Sequence, residues 1–186
     1  MKIETIEIAG LAGALTALRL PFGKEVRSSI ETFIPIGGIE GFYIWESRCY
    51  VDIHEKDLAL LQTLVKRGDE HAKVVRGINV WAKITAPVFF WAEAECYRAG
   101  HERLASESTM HIDCRGLTGR ELQEAKAAIP MGKELTKVDM FSYQTLRRIV
   151  VQRHNHRLPE WHQFIAWIKT LPLAEELIFV GLEKEE

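Results

Sequence analysis

Hydrophobic and polar residues follow two different periods at the start of the chain. Isoleucines alternate with polar residues over 2–8, which predicts a half-buried strand. Leucines then recur at near-helical spacing over 11–20. Pro21 and Gly23 follow, so we expect the helix to end there.

The next part of the chain is rich in turn residues before the helical period returns. Residues 24–47 have the composition of strands and turns, with a turn at Gly37-Gly38. An amphipathic helix is predicted over 57–67 and ends at Gly68. A short helical or irregular segment then leads to a predicted strand over 78–85.

The second half of the chain is mainly helical by its pattern. A helix over 87–99 starts at Pro87, which has no amide hydrogen to leave unpaired in a first turn. This helix is apolar on nearly all sides, so we expect it to be deeply buried. A loop is predicted over 112–120, and further helices are predicted over 121–128, 141–153 and 161–171.

Strands and helices that do not alternate strictly indicate an α+β fold, with a mixed or antiparallel central sheet. The length of 186 residues is that of one ordinary domain, so we expect a single domain over 1–186. No internal repeat or low-complexity segment interrupts it.

Composition narrows the range of partners. A net charge of -2 gives no electrostatic reason to expect DNA, RNA or an anionic membrane. The longest apolar run, over 86–92, is far too short to span a bilayer. The 3 widely spaced cysteines suggest reduced thiols, and the N-terminus has no signal pattern, so we expect a cytoplasmic protein.

Charged residues on the apolar 87–99 segment are the most informative candidates for chemistry. Glu93 and Arg98 are five residues apart, so they face different sides of a helix and are not natural partners. Each therefore needs a counter-charge elsewhere, a ligand, or access to solvent. A pocket and a structural salt bridge both remain open for them.

Other candidates favour ordinary structural roles. His154 and His156 are two residues apart and have no H-E-x-x-H motif near them, so no metal site is expected. The serines near residues 106–109 lack a G-x-S-x-G elbow, which argues against a hydrolase. Cys96, on the helix expected to be buried, is interpreted as a small core residue.

Three segments in the middle of the chain carry a family resemblance. The strand over 78–85 is followed by Ala86-Pro87-Val88-Phe89, then by Cys96-Tyr97-Arg98, and then by Ser106–His111. This order resembles the flavin-dependent thymidylate synthases, which carry A-P-[IV]-F, R-H-R and N-E-x-S-x-R at these places. His71, just after the helix that ends at Gly68, is similar in position to the histidine of the family's G-H-x-S turn.

The downstream half resembles the same family. The Ala-rich helix is followed by Ile129-Pro130, as in the family's A-R-x-x-L-P, and directly by a helix that ends at Arg153. Pro159–His162 then occupies the place of the family's A-Q-x-E. The resemblance covers 56–172. Parts of the chain also resemble uncharacterised prophage proteins, which indicates a diverged branch.

The resemblance implies a thymidylate synthase-like fold in a homotetramer that binds FAD and the nucleotide dUMP. It implies that Arg153 is the catalytic residue, which holds the uracil ring and stabilises the charge that develops on it. The residues implied for substrate binding, besides Arg153, are Glu93, Arg98, Glu107 and Thr109. The residues implied for FAD binding are His71, Gln144 and Arg148.

Several positions depart from the family pattern. Cys96 and Tyr97 replace the arginine and histidine that begin R-H-R, and Glu93 replaces a glutamine. These changes remove charge-assisted phosphate contacts and add a carboxylate that would repel an anion. We therefore expect a protein that does not synthesise thymidylate. A diverged flavin or nucleotide enzyme, a nucleotide-binding protein without chemistry and a phage-type structural protein remain open.

Two structural expectations follow from this interpretation. Glu93, Arg98, Glu107 and Arg153 are expected to converge on one cavity. The helices over 87–99 and 141–153 are apolar on more than one face, which predicts a homo-oligomer, with a tetramer favoured.

Overall fold

The computed structural model describes residues 1–33, 38–39, 42–43 and 48–182, and the side chains outside 32–50. The strands are β1 Lys2–Ala9, β2 Ser29–Phe33, β3 Gly38–Ile39, β4 Phe42–Tyr43, β5 Arg48–Asp52, β6 Asn79–Pro87, β7 His101–Ser106 and β8 Glu134–Ser142. The helices are α1 Leu11–Leu18, α2 Glu55–Lys66, α3 Val88–Ala94, α4 Thr109–Ile112, α5 Gly119–Ala127, α6 Tyr143–Arg153, α7 Pro159–Lys169 and α8 Ala174–Leu177. Across these ranges, no helix is both long and apolar enough for a membrane span.

A four-stranded antiparallel sheet, in the order β1-β6-β8-β7, forms the centre of the fold. Val80 of β6 lies opposite Phe141 of β8, and Ala82 lies opposite Asp139. Because side chains alternate between the faces of a sheet, these residues all point towards one core. The fold is α+β with an antiparallel central sheet, as predicted.

Helices supply the large side chains that cover this core face. On β6 the inward residues Val80, Ala82, Ile84 and Ala86 are fully buried. The fully buried large side chains that α6 and α7 add are Leu146, Ile149, Trp161, Phe164 and Ile168. Truncating one such leucine or isoleucine to alanine typically costs about 2–5 kcal/mol, so this layer is the main stabilising contact in the fold.

The helices predicted over 57–67, 121–128 and 161–171 are confirmed as α2, α5 and α7, with ends that shift by at most two residues. The predicted first strand and the first helix are confirmed as β1 and α1. Gly37, the first residue of the predicted turn, lies outside the described residues.

Helix α3 is shorter and less buried than predicted. It ends at Ala94, and the chain continues in turns to residue 100. Pro87 is the last residue of β6 and the N-cap of α3, with an extended ψ of 153°. Ala92 is exposed and Glu93 is half-buried, because the charged residues of this segment need solvent or partners. The prediction of a deeply buried helix over 87–99 is therefore wrong.

Two strands of the central sheet, β7 and β8, were not predicted from the sequence. β8 carries Lys137 and Asp139 on its buried face, and Val138 and Met140 on the face that is partly exposed. This reverses the usual pattern of apolar residues inside and polar residues outside, so the strand has no ordinary hydrophobic signature. The family resemblance implied that the helix ending at Arg153 follows Pro130 directly, whereas β8 lies between them.

A tight junction joins the turn after α3 to the start of α6. Gly100 has a φ of 75°, and a Cβ there would lie 2.5 Å from Ser142 Oγ and 2.6 Å from Thr145 Oγ1. The backbone N–H of Ser142 donates to the carbonyl of Gly100 at 2.7 Å. Only glycine fits such a close approach in this conformation. The junction sets where the segment after α3 lies along α6.

Candidate functional site

Arg153, the last residue of α6, is fixed by groups from the α3 segment. Its Nε donates to the hydroxyl of Tyr97 at 2.8 Å, and its Nη1 donates to Glu93 Oε2 at 3.2 Å. The guanidinium lies over the ring of Trp161, 4.8 Å from the ring centre. Since a guanidinium has five N–H groups, these two hydrogen bonds leave N–H groups for a further partner.

Glu93 gathers three donors on a single oxygen. Its Oε2 also accepts from Trp161 Nε1 at 2.9 Å and lies 3.2 Å from His156 Nε2. The other nitrogen of His156, Nδ1, accepts from the backbone N–H of Leu158 at 3.2 Å. His156 therefore links Glu93 to the backbone at the start of α7. Arg153 is the arginine that pairs with the Glu93 carboxylate.

The pKa values of Tyr97 and Arg153 keep these groups in their ordinary charge states. Burial raises the pKa of Tyr97, and the neighbouring Arg153 offsets only part of this effect. Burial works to lower the pKa of Arg153, but the contacts with Tyr97, Cys96 and Glu93 outweigh it and raise the pKa. At neutral pH, Tyr97 is a phenol and Arg153 is a cation.

A cavity of about 270 Å³ lies beside this cluster. Its walls are formed by Cys96, Tyr97, Arg98, Ala99, Thr145, Arg148 and Gln152. Cys96 and Tyr97 are also the residues that contact the Nη2 and Nε of Arg153. Arg153 therefore lies directly behind a wall that carries two further arginines. This volume is just below the range of about 300–1,000 Å³ that is usual for small-molecule sites.

A larger groove of about 1000 Å³ is lined by α6, α7, α8 and the residues that follow α8. Val150, Ile165 and Phe179 form part of its wall, and Lys169 is among its charged residues. We take the smaller cavity as the candidate site, because its wall residues Cys96 and Tyr97 contact Arg153, the residue to which the family resemblance points.

The residues predicted for substrate binding are only partly brought together. Glu93 and Arg153 form an ion pair, and Arg98 lines the adjoining cavity. Glu107 instead accepts from the backbone N–H of Thr136 at 2.7 Å. Thr109 accepts from Lys126. Within residues 48–182, no described contact joins Glu107 or Thr109 to Arg153, so their roles in binding stay predictions.

The residues predicted for flavin binding meet around one turn. Gln144 accepts from Arg76 Nε at 2.5 Å and donates to the carbonyl of Asp69 at 3.0 Å. Arg148 forms an ion pair with the carboxylate of Asp69. His71, two residues further on, is exposed. Gln144 is only 3% exposed, so its amide group serves contacts within the chain.

A buried network under the site was not foreseen. The carboxylate of Asp139, which is fully buried, lies 2.8 Å from His101 Nε2 and 3.2 Å from Arg103 Nε. His101 Nδ1 lies 2.9 Å from the carbonyl of Tyr97. Both ring nitrogens of His101 thus have a polar partner. The side chain links the backbone of Tyr97 to the central sheet.

Cys96 is exposed and lies on the cavity wall. The interpretation of Cys96 as a small core residue is therefore wrong, because α3 ends two residues before it.

No protein-family model and no curated protein matches the sequence. Solved structures do match. The flavin-dependent thymidylate synthase ThyX from Helicobacter pylori, complexed with FAD and dUMP, has a TM-score of 0.67 at 12% identity. The match covers 99% of this chain and 100% of that chain.

A second enzyme has a similar fold. The UMP/dUMP methylase PolB from Streptomyces cacaoi, bound with 5-Br dUMP, has a TM-score of 0.60 at 12% identity. The match covers 96% of this chain and 94% of that chain. Identity this low speaks for the fold alone. The chain has the fold of the flavin-dependent thymidylate synthases, as its resemblance to that family predicted.

Proposed function

We propose that the protein binds a uracil nucleotide at the cavity beside Arg153 and does not synthesise thymidylate. The observation that carries the proposal is the guanidinium of Arg153, held between Tyr97 and Glu93 next to a cavity with two more arginines. A fixed planar donor suits the carbonyl groups of a uracil ring or the oxygens of a phosphate. The similar structures from H. pylori and S. cacaoi contain dUMP or 5-Br dUMP.

The charges around the cavity favour an anionic ligand. Arg148 is paired with Asp69, and Arg153 is paired with Glu93. Arg98 is exposed, and among the described residues its side chain makes one long hydrogen bond, of 3.5 Å, to the carbonyl of Glu95. One positive charge thus remains in excess for a phosphate. Hydrogen bonds to charged groups contribute about 1.5–3 kcal/mol each.

A thermal-shift series tests the proposal. The purified protein is heated with dUMP, UMP, dTMP or inorganic phosphate, since a ligand that binds only the folded state raises the melting temperature. A nucleotide at about 100 times its Kd adds about 2.7 kcal/mol of stability. This corresponds to a rise of roughly 5–10 °C for a chain of this size. Phosphate alone should give a smaller rise, and no shift with any nucleotide would refute the proposal.

We propose that the protein does not synthesise thymidylate because several of its residues differ from the family pattern. Cys96 and Tyr97 present fewer charged donors than the family's arginine and histidine, and misplacement of reacting groups by about an ångström can cost roughly 100-fold in rate. We expect no growth of a thymidine-requiring strain that expresses this chain. If the chain restores growth and Arg153→Ala abolishes this effect, the differences from the family pattern matter less than we propose.

Binding of FAD stays a prediction. Both ends of the Gln144 amide are occupied by Arg76 and Asp69, and the Arg148 guanidinium is paired. The described residues therefore fit a flavin poorly, and no step of this proposal depends on one. A purified protein with flavin absorbance bands would correct this assessment.

Assembly into a homo-oligomer, with a tetramer favoured, is also proposed. Val151 on α6 and Ile6, Leu20 and Phe22 near the N-terminus are exposed large hydrophobic residues, and such surfaces often mark contacts between subunits. Light scattering at micromolar concentration tests it, and a mass of 21.3 kDa would identify a monomer.

A structural protein without a ligand is the second candidate. It is favoured by the completeness of the Glu93 contacts, since one carboxylate oxygen serves Arg153, Trp161 and His156. In that case Arg153→Ala should lower the melting temperature, while no nucleotide shifts the wild-type protein.

A further inference from the structure

The thiol of Cys96 lies between the cavity and Arg153. Cys96 lines the cavity, and its Sγ donates to the carbonyl of Glu93 at 3.0 Å and lies 3.8 Å from Arg153 Nη2. The side chain is exposed. Thus a thiol on the wall of a cavity of about 270 Å³ lies next to the guanidinium of Arg153, which is held just outside that wall.

Uracil rings are open to attack by a thiol. The double bond between C5 and C6 is conjugated with the C4 carbonyl, so a sulfur that adds at C6 sends negative charge to the carbonyl oxygen. A guanidinium that donates to that oxygen stabilises this charge as it develops. The reaction also needs the sulfur close to C6, within about 3–3.5 Å of it. Cys96 and Arg153 are close enough to each other to serve one ring in these two roles.

We propose that Cys96 is a catalytic residue that adds reversibly to C6 of a uracil nucleotide held by Arg153. This inference rests on the proposed function, because it requires the nucleotide in the cavity.

The atoms and electrons of the step balance without a further reagent. The S–H bond breaks, its proton leaves to water, and a bond forms between sulfur and C6. The π electrons of the ring move to the C4 oxygen, and C5 then takes a proton from water. The thiol has thus added across the double bond. The reverse reaction can remove either hydrogen at C5, so the hydrogen originally at C5 exchanges with solvent.

The other thiol whose side chain is described provides a contrast. Cys114 is 2% exposed and is not among the residues that line the cavity. A substitution at Cys114 therefore serves as the control for one at Cys96. Peptide mapping by mass spectrometry separates both from Cys49.

The experiment has two readouts on the full chain. In the first, dUMP is incubated with the protein in D₂O, and loss of the H5 signal is followed by proton NMR. In the second, 5-fluoro-2′-deoxyuridine 5′-monophosphate is added, and intact-mass spectrometry looks for a protein that carries one nucleotide. Binding of dUMP is measured in parallel by thermal shift for the wild type, Cys96→Ser and Cys114→Ala.

The expected result is exchange and a nucleotide adduct in the wild type and in Cys114→Ala, with the adduct mapped to Cys96. In Cys96→Ser both should fall to the background of the free nucleotide, while dUMP still raises the melting temperature. A wild type that binds dUMP without exchange or adduct would overturn the role of Cys96 and leave the proposed function standing. An adduct that persists in Cys96→Ser would overturn it as well. A wild type that binds no nucleotide would overturn both.

Discussion

Two ion clusters with similar residues differ in how completely they are closed. Asp57, in the first turn of α2, accepts from Arg19 Nε at 2.5 Å and from the backbone N–H groups of Arg27 and Ser28 at 2.7 Å. The hydroxyl of Ser28 donates to it at 2.8 Å. The Asp57 side chain is 0% exposed. Both oxygens of this carboxylate accept within the chain, Oδ1 from Arg19 and Oδ2 from the three other donors.

The cluster of Glu93 and Arg153 is open by comparison. Their side chains are 34% and 20% exposed, and Arg153 keeps N–H groups that these contacts do not use. It also adjoins a cavity with further cations, whereas Asp57 does not line either of the cavities described above. A closed cluster anchors one segment to another. An open cluster beside a cavity has the capacity to bind a ligand.

The largest loss of stability is expected when the carboxylate of Asp57 is removed from the closed cluster. Asp57→Ala should destabilise the protein by about 3–5 kcal/mol, because it leaves the charge of Arg19 and two buried amides without their partner. This corresponds to a fall in melting temperature of roughly 6–20 °C. The exposed Asp52 provides the control, and Asp52→Ala should change stability by about 0.5 kcal/mol or less. Equal effects of the two substitutions would contradict the closed cluster.

Acid should open the same cluster without a mutation. Burial works to raise the pKa of Asp57, but the hydrogen bonds from Ser28, Arg19 and the backbone outweigh it and lower the pKa to about 2. A lowered pKa gives stability that is present above the pKa of the unfolded chain, near 3.8. This stability is lost as the pH falls towards 2, and amounts to about 2 kcal/mol.

Urea unfolding at pH 5 and pH 2 measures this contribution of Asp57 to the free energy of unfolding. The loss between the two pH values should be about 2 kcal/mol smaller in Asp57→Asn than in the wild type. Asp52→Asn, at an exposed carboxylate, should behave like the wild type. If Asp57→Asn loses as much stability between pH 5 and pH 2 as the wild type does, other carboxylates cause the acid sensitivity.

The open cluster should respond in binding more than in stability. Arg153→Ala should weaken dUMP binding by about 10–100-fold, since it removes charge-assisted hydrogen bonds. Arg153→Lys should not restore binding, because a lysine lacks the planar fork. Titration calorimetry measures both.

Arg157, which is exposed and four residues further along, provides the matched control for lost charge. Arg157→Ala should bind dUMP nearly as well as the wild type. If both alanine variants lose affinity equally, the general positive charge of this region causes binding, and the geometry of Arg153 does not.

Much of the fold was predictable because most helices have a hydrophobic face at helical spacing. Strand β8, which includes the first two residues of the helix predicted over 141–153, shows where this reasoning stops. Lys137 and Asp139 point inwards, because Asp139 has His101 and Arg103 as partners and Lys137 lies over Trp91, 4.4 Å from its ring centre. These partners are distant from β8 in the sequence, so the local hydrophobic pattern does not predict the contacts.

The candidate site was predictable only in part, for the same reason. The residue types on the 87–99 segment pointed to Glu93, and the family resemblance pointed to Arg153. Their convergence was expected, and the two side chains form an ion pair. The positions of Cys96 and Tyr97 could not be foreseen from a helix expected to continue to residue 99. The early end of α3 turns Cys96 and Tyr97 towards Arg153 and the cavity. Tyr97 had been interpreted only as a lost histidine of the family motif, although its hydroxyl accepts a hydrogen bond from Arg153.

The smallest expected effect separates the two ways in which a tyrosine hydroxyl can matter. Tyr97→Phe removes the acceptor of Arg153 Nε, so the guanidinium loses one of its fixed contacts and should bind dUMP about 2–10-fold more weakly. Tyr143 provides the matched control, because its hydroxyl donates to the carbonyl of Pro172 at 2.8 Å, away from Arg153. Tyr143→Phe should lower stability by about 1 kcal/mol and leave binding unchanged. Titration calorimetry and urea unfolding on both variants give the answer. If Tyr97→Phe changes only stability, as Tyr143→Phe should, the hydroxyl of Tyr97 is an anchor like Asp57 and does not orient Arg153 for a ligand.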